Sequence, residues 1–246
     1  MTYERQVRHK PVHGATIGIV MLDTKFQRLP GDIGHAETFP FPVQYQVAKG
    51  VRNGAILAPD QTDVLEKFLD AANELISLGV DGIATSCGFL SKFQPVLTER
   101  LSVPVATSSL LQVPFVQATL PKGKRVGILT AVEDALTQDH LRVVGIDPET
   151  PIAGPDPNGK MRQNSINGRA SVDYFEQEKD VVAAARKLVE RNADIGAIVL
   201  ECTNFPPYAH AIESALGLPV YDVVGMIHWF QRGLRPRRYD VPASCS

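Results

Sequence analysis

The sequence predicts a parallel α/β protein built as two similar lobes, and three observations carry that prediction. Short β-rich runs alternate with amphipathic stretches along nearly the whole chain. The pattern restarts at "RVGILT" (125–130), a fresh buried strand. Each half also drives one strand straight into a cysteine, in "DGIATSCGFLSKF" (81–93) and in "DIGAIVLECTNFPPYAH" (194–210). The register of this repeat can be measured. Cys87 lies 17 residues before Pro104 of "LSVPV", and Cys202 lies 17 residues before Pro219 of "LGLPV". Asp63 and Asp180, each read as a helix start, precede those cysteines by 24 and 22 residues. Such an internal duplication implies two lobes related by a pseudo-two-fold axis. Ligands of open parallel sheets sit beyond the carboxyl ends of the strands, so facing lobes would aim both thiols into one interlobe cleft.

The elements follow in order. "IGIVML" (17–22) reads as a buried strand that runs into a long loop, "DTKFQRLPGDIGHAETFPFPV" (23–43). Residues 63–78 place Val64, Leu65, Phe68, Leu69, Ala72, Leu75 and Ile76 at helical spacing, with Asp63 as N-cap and Glu66 three residues on. "DGIATS" is the strand that ends at Cys87; a helix follows from Pro95 to Leu101, then a short strand in "VPVATSS". After "RVGILT", the Pro-, Gly- and Asn-rich segment 148–169 reads as loop or lid. "EKDVVAAARKLVERN" (178–192) is an amphipathic helix with Val181, Val182, Ala185, Leu188 and Val189 on one face. "DIGAIVLEC" is the strand that ends at Cys202, followed by a helix to Leu216 and by "LPVYDVV".

Composition excludes several function classes. A chain of 246 residues with 44% hydrophobic and 21% charged residues is ordinary for a globular protein with a sizeable core. A net charge of −2 offers no basic field for nucleic acid or an anionic membrane. No apolar run is long enough to span a bilayer, and "MTYERQVRHKPVHG" lacks the apolar centre of a secretory signal, so the expected location is the cytoplasm. There, three cysteines are expected to stay reduced, and no CxxC, HxxxH or His–Cys cluster suggests a metal. No GxGxxG or P-loop is present. Cys245, in the polar tail "ASCS", reads as a dispensable surface thiol.

Cys87 and Cys202 are the candidate catalytic residues. Each leaves its strand for a turn whose backbone N–H groups favour thiolate and can hold a carboxylate. Gly88 follows the first thiol; Thr203 and Asn204 follow the second. Two thiols on opposite sides of one carbon can remove an α-proton from one face and return a proton to the other without a cofactor. Donors on the developing enolate oxygens would supply much of the stabilisation. Ser86 and Phe89 flank the first thiol, and Asp23 and Arg28 lie just after the first strand. Those four join Gly88, Thr203 and Asn204 as candidate substrate contacts. His35, Thr107, Ser108, His210, Asp222 and His228 are weaker candidates with ready structural explanations.

"ECTNFPPYA" resembles the Gly-Cys-Thr-His-aromatic-Pro signature of glutamate racemases, and over residues 15–235 the chain resembles the aspartate/glutamate/hydantoin racemase superfamily. The resemblance implies a cofactor-independent racemase or epimerase of an amino acid, hydantoin or related carboxylate. No metal, flavin, nicotinamide or pyridoxal phosphate is then expected. Cys87 and Cys202 would be the two acid/bases, and Thr203 would contact the substrate carboxylate. Lobe 1 would comprise residues 15–115 with 222–246, because the family pattern returns the C-terminal helix to the first lobe, and lobe 2 residues 116–221. A homodimer or higher homo-oligomer is implied as well. The chain departs from the pattern at Asn204, where those racemases carry histidine, and at "CGFL", which lies nearer the hydantoin racemases. Maleate isomerase-like chemistry with a nucleophilic cysteine is the alternative within the fold. Arylmalonate decarboxylases resemble the family too, but keep one of the two cysteines.

Overall fold

The computed structural model describes residues 10–58, 60–167, 173–237 and 239. Cys245 lies outside them. The first lobe opens with strand β1 (Ile17–Leu22), β2 (Val43–Ala48), the short helix α1 (Asn53–Ile56) and α2 (Thr62–Leu78). Strand β3 (Gly82–Thr85), α3 (Gln94–Arg100), β4 (Val105–Ala106) and α4 (Val113–Thr119) complete the first run. The second consists of β5 (Arg125–Leu129), α5 (Gln138–Arg142), β6 (Ile152–Ala153), α6 (Lys160–Asn167), α7 (Tyr174–Arg191), β7 (Ile195–Leu200), α8 (Ala209–Leu216), β8 (Val220–Tyr221) and α9 (Val223–Leu234). Two four-stranded sheets result, ordered β2-β1-β3-β4 and β6-β5-β7-β8, with every pairing parallel. The same order in both sheets is the duplication seen in the spacing of the cysteines.

In each sheet the chain order reverses beside its first strand, between β1 and β3 and again between β5 and β7. Those two switch points are where a parallel sheet opens a crevice at its carboxyl edge. The central strands are uniformly apolar because helices cover both faces. Along β1, Val20 and Leu22 join the large core that runs through both sheets, while Ile17, Ile19 and Met21 face the second cluster, which α9 completes with Val223, Met226 and Ile227. Helix α9 sits so close to β3 that a methyl group on Gly82 would overlap Leu234 and Phe230.

Several sequence expectations need correction. Helix α2 starts at Thr62, so Asp63 is not its cap. The Thr62 N–H donates to the Asp60 carboxylate, and Asp63 pairs with Lys67 one turn on. Helix α7 starts at Tyr174, capped by the Asp173 side chain, and Asp180 instead accepts from the Met161 N–H at 2.9 Å. The segment 148–169 is not all loop: it holds β6 and α6. Strand β2 lies in what the sequence presents as loop, because an edge strand needs only one well-covered face and "VQYQVA" is mostly half-buried.

The docking of α9 gives a direct test. Ile227 is fully buried, whereas Trp229, two residues on, is 76% exposed. Ile227→Ala should lower stability by about 2–5 kcal/mol in urea unfolding. Trp229→Ala should change it by less than about 0.5 kcal/mol.

Candidate active site

The two switch points open into one cleft of about 500 Å³, part of it open to solvent. Leu22 ends β1 there, and Ser86, Cys87, Gly88 and Phe89 follow β3. Ala131 and Val132 come from beyond β5, and Glu201, Cys202, Thr203 and Asn204 follow β7. Both thiols therefore share one cavity, one contributed by each sheet. The turns that carry them are locked together, because the Thr203 hydroxyl donates to the Ser86 carbonyl at 2.8 Å across 117 residues of sequence.

Neither thiol ionises readily in this cleft. Burial pushes Cys87 up to about 12, and the nearby Glu201 carboxylate adds to the rise. The N–H groups of Phe89 and Leu90 act the other way and favour thiolate. Cys202 is raised well above an ordinary thiol by burial and again by Glu201, with the Asn204 N–H opposing. Glu201 is itself only 1% exposed, and burial lifts its carboxyl to about 7. Its Oε2 accepts from the Thr130 hydroxyl at 2.7 Å. Its Oε1 has no hydrogen-bond partner among the described residues. That oxygen lies against Gly88, where a methyl group would overlap both Glu201 Oε1 and the Glu201 carbonyl oxygen.

A polar chain runs from Cys202 toward the loop after β1. The Cys202 thiol faces Asn204 Oδ1 at 3.8 Å, and Asn204 Nδ2 donates to Asp32 Oδ2 at 2.6 Å. Asp32, 3% exposed, is held in turn by Arg28 at 2.6 Å and by the Gly34 N–H at 2.8 Å. Arg28 is thus committed to Asp32 and Thr24, and it stacks on Phe26. It positions Asn204 rather than lining the cleft. Asp23 does not line the cleft either; its carboxylate caps the turn after β2 through the Gly50 N–H at 2.9 Å.

Ser86 lines the cleft, but its hydroxyl accepts from the Leu22 N–H at 2.9 Å, so it braces the end of β1. Phe89 packs edge-on against the buried His140, which burial pushes down to about 4 and so keeps neutral. Thr107 is bound to Gln94, Ser108 caps a short turn, and Asp222 caps α9. His228 packs against Phe39 and Phe41, and His210 lies on the surface. His35 bonds within its own loop, its Nδ1 accepting from the Glu37 N–H. Among the described residues, no group of three or more His, Cys, Asp or Glu side chains gathers as a metal site. No described helix is long and apolar enough to cross a membrane.

A sequence profile of the Asp/Glu/hydantoin racemases matches residues 61–229. The chain belongs to that family. Among curated proteins it is similar to a dimethylsulfoniopropionate lyase of Durusdinium sp. clade D, 30% identical over 92% of this chain and 79% of that protein. Dimethylsulfoniopropionate lyase 7 of Emiliania huxleyi (strain CCMP1516) is also 30% identical, over 89% of this chain and 67% of its own length. Among solved structures, unliganded arylmalonate decarboxylase superposes with a TM-score of 0.61 at 19% identity, covering 93% of this chain and 96% of that one. A glutamate racemase of Bacillus anthracis gives 0.60 at 15% identity, covering 90% and 83%. At such identities these structural likenesses concern the family fold alone.

Sequence reading missed Glu201 and Asp32. In "DIGAIVLEC" Glu201 reads as part of the strand, although a glutamate closing an otherwise apolar buried strand is itself a signal. Asp32 sits mid-loop, and nothing in the sequence ties it to Asn204, 172 positions away.

Two outcomes are expected. Gly88→Ala should strongly impair folding or catalysis, since the overlap includes a backbone oxygen that cannot swing aside. Glu201 also makes stability depend on pH. Its folded carboxyl titrates near 7, above the ordinary glutamate value of 4.5, so the folded state holds this proton more tightly than the unfolded chain. The resulting destabilisation grows as pH rises from about 4.5 to about 7. Glu201→Gln should therefore gain stability relative to the parent at pH 8 compared with pH 5, as read by denaturant unfolding at both values.

Proposed function

We propose that the cleft catalyses β-elimination on a small β-substituted carboxylate, with dimethylsulfoniopropionate as the substrate to test first. The observation that carries this reading is the pair of thiols on opposed turns of one cavity. Support comes from the relatives at 30% identity, which bear the name of lyases of this compound. In the proposed step a thiolate of Cys87 takes a proton from the carbon next to the carboxylate. The electron pair of that C–H bond forms the C=C bond, and the C–S bond breaks with its pair going to sulfur. Acrylate and neutral dimethyl sulfide leave, and the proton ends on Cys87.

Cys202 stays protonated and donates toward the substrate carboxylate as enolate character develops, aided by the N–H groups of the turn at Thr203 and Asn204. The Asn204–Asp32–Arg28 chain holds the orientation of that turn. A cationic sulfonium is electrostatically welcome because no lysine, arginine or histidine lines the cleft among the described residues.

A second reading, two-thiol racemisation of an amino acid or hydantoin, has the same first step. It is favoured by the presence of both cysteines. Incubation with dimethylsulfoniopropionate should release dimethyl sulfide into the headspace and acrylate in equal amounts. Cys87→Ser and Cys202→Ser should each lower kcat by about 10²–10⁴-fold, the range typical of losing a positioned acid or base. Absence of dimethyl sulfide would count against elimination of this substrate. Deuterium uptake with inversion, from single-enantiomer amino acids or 5-substituted hydantoins in deuterated water, would establish the racemase reading instead.

A further inference from the structure

We propose that Glu201 is the proton relay of the cleft, accepting the thiol proton of Cys87 and passing it to solvent in each turnover. The proposal rests on the elimination reading above for its substrate. Its structural basis is the arrangement of one side chain that reading leaves without a task. Glu201 directly follows β7, lines the cavity together with both thiols, and is 1% exposed. A carboxyl group retained for packing alone would have both oxygens satisfied, because a buried unpaired polar atom costs free energy without return. Here only Oε2 is held, by the Thr130 hydroxyl at 2.7 Å. The free oxygen, Oε1, is pressed against Gly88, the residue that follows Cys87. Cys202 is the less suitable proton donor, because its sulfur already faces Asn204 Oδ1.

Every other ionisable group packed around this carboxyl fits the role. The facing turn after β3 supplies Cys87, and its own turn supplies Cys202. Asp32 and Tyr208 act on the Cys202 side, with Asp32 neutralised by Arg28. From the α5 side comes His140, behind Phe89 and neutral. Among the described residues no cation therefore fixes Glu201 as a permanent anion, and burial holds it near 7, where it can both take and release a proton. Two thiols and one carboxyl in such a cleft titrate as a coupled set.

The step balances. When the sulfonium group of the zwitterionic substrate enters beside Cys87, it favours negative charge on the sulfur; the Cys87 S–H bond breaks, an O–H bond forms on Glu201, and the negative charge passes from the carboxylate to the thiolate. The thiolate then takes the carbon-bound proton, the C=C bond forms and the C–S bond breaks. Cys87 ends as thiol again, and Glu201 releases its proton to water. One proton leaves for each substrate consumed.

The experiment uses the full-length protein with Glu201→Gln and Glu201→Asp, both keeping a partner for Thr130. The pH profile of kcat is measured with dimethylsulfoniopropionate. The pH midpoint of Cys87 alkylation by iodoacetamide is followed by peptide mass spectrometry, which separates this thiol from the others. Glu201→Gln should lower kcat by about 10²–10⁴-fold with KM little changed, and should remove the limb of the pH profile near neutrality. Glu201→Asp should recover part of the rate and keep that limb. The alkylation midpoint of Cys87 should fall by at least about one pH unit in Glu201→Gln, because a like charge has gone. A Glu201→Gln enzyme with the parent's kcat and pH profile would overturn the proposal, as would an unchanged alkylation midpoint. If the parent itself releases no dimethyl sulfide, the elimination reading fails, and the alkylation midpoint still decides whether Glu201 and Cys87 are coupled in charge, without which no proton passes between them.

Discussion

The hydrogen bond from the Thr203 hydroxyl to the Ser86 carbonyl joins the two halves of this molecule at the point where its chemistry would occur. Each half alone is a four-stranded parallel sheet with a crevice at its switch point and, among the described residues, a single thiol. Once the turn after β3 is tied to the turn after β7, two half-sites become one cleft. The tie is braced from both directions. The Leu22 N–H donates to the Ser86 hydroxyl, and the Ser109 hydroxyl donates to the Leu200 carbonyl. Such bonds contribute only about 1 kcal/mol each to stability. Their larger effect is geometric, since they set how the two thiol-bearing turns sit against one another.

The electrostatics of the cleft follow from what that closure buries. Two thiols and a carboxyl share a space with no described cationic lining residue, so each group disfavours ionisation of the others. The set resists holding more than one negative charge, and a neutral carboxylic acid becomes competitive with carboxylate near neutral pH. Asp32 is paired with Arg28 outside the cavity and touches its lining through Asn204. Charge is thereby kept at the edge of the site while protons are kept at its centre. Chemistry that begins with removal of a carbon-bound proton suits such a place.

Gly88 shows how closely packing and chemistry are joined. Only a residue without a side chain lets the Glu201 carboxyl lie against the first thiol turn. In the sequence this glycine reads as part of a strand-to-helix turn, a backbone requirement. In the structure it makes room for an ionisable neighbour from the other half of the chain. A sequence pattern can point to the right residue for an incomplete reason.

The sequence by itself determined the α/β class, the two-fold repeat and the two cysteines at the carboxyl ends of equivalent strands. Those features are written in local periodicity and in fixed spacings; β3 is buried along its whole length and β7 everywhere but at Gly196, which leaves a strong apolar signal. The edge strands β2 and β6 and helix α6 were not legible, because edge positions are half-covered and a two-residue strand has no period to detect. Asp23 and Arg28 follow β1 in sequence, and proximity along the chain suggested the cleft; the folded loop turns both to structural bonds instead. Glu201 and Asp32 were decided by tertiary structure alone. Their character depends on which groups the fold places beside them and how much water it removes, and both are properties of contacts made across more than a hundred positions of chain.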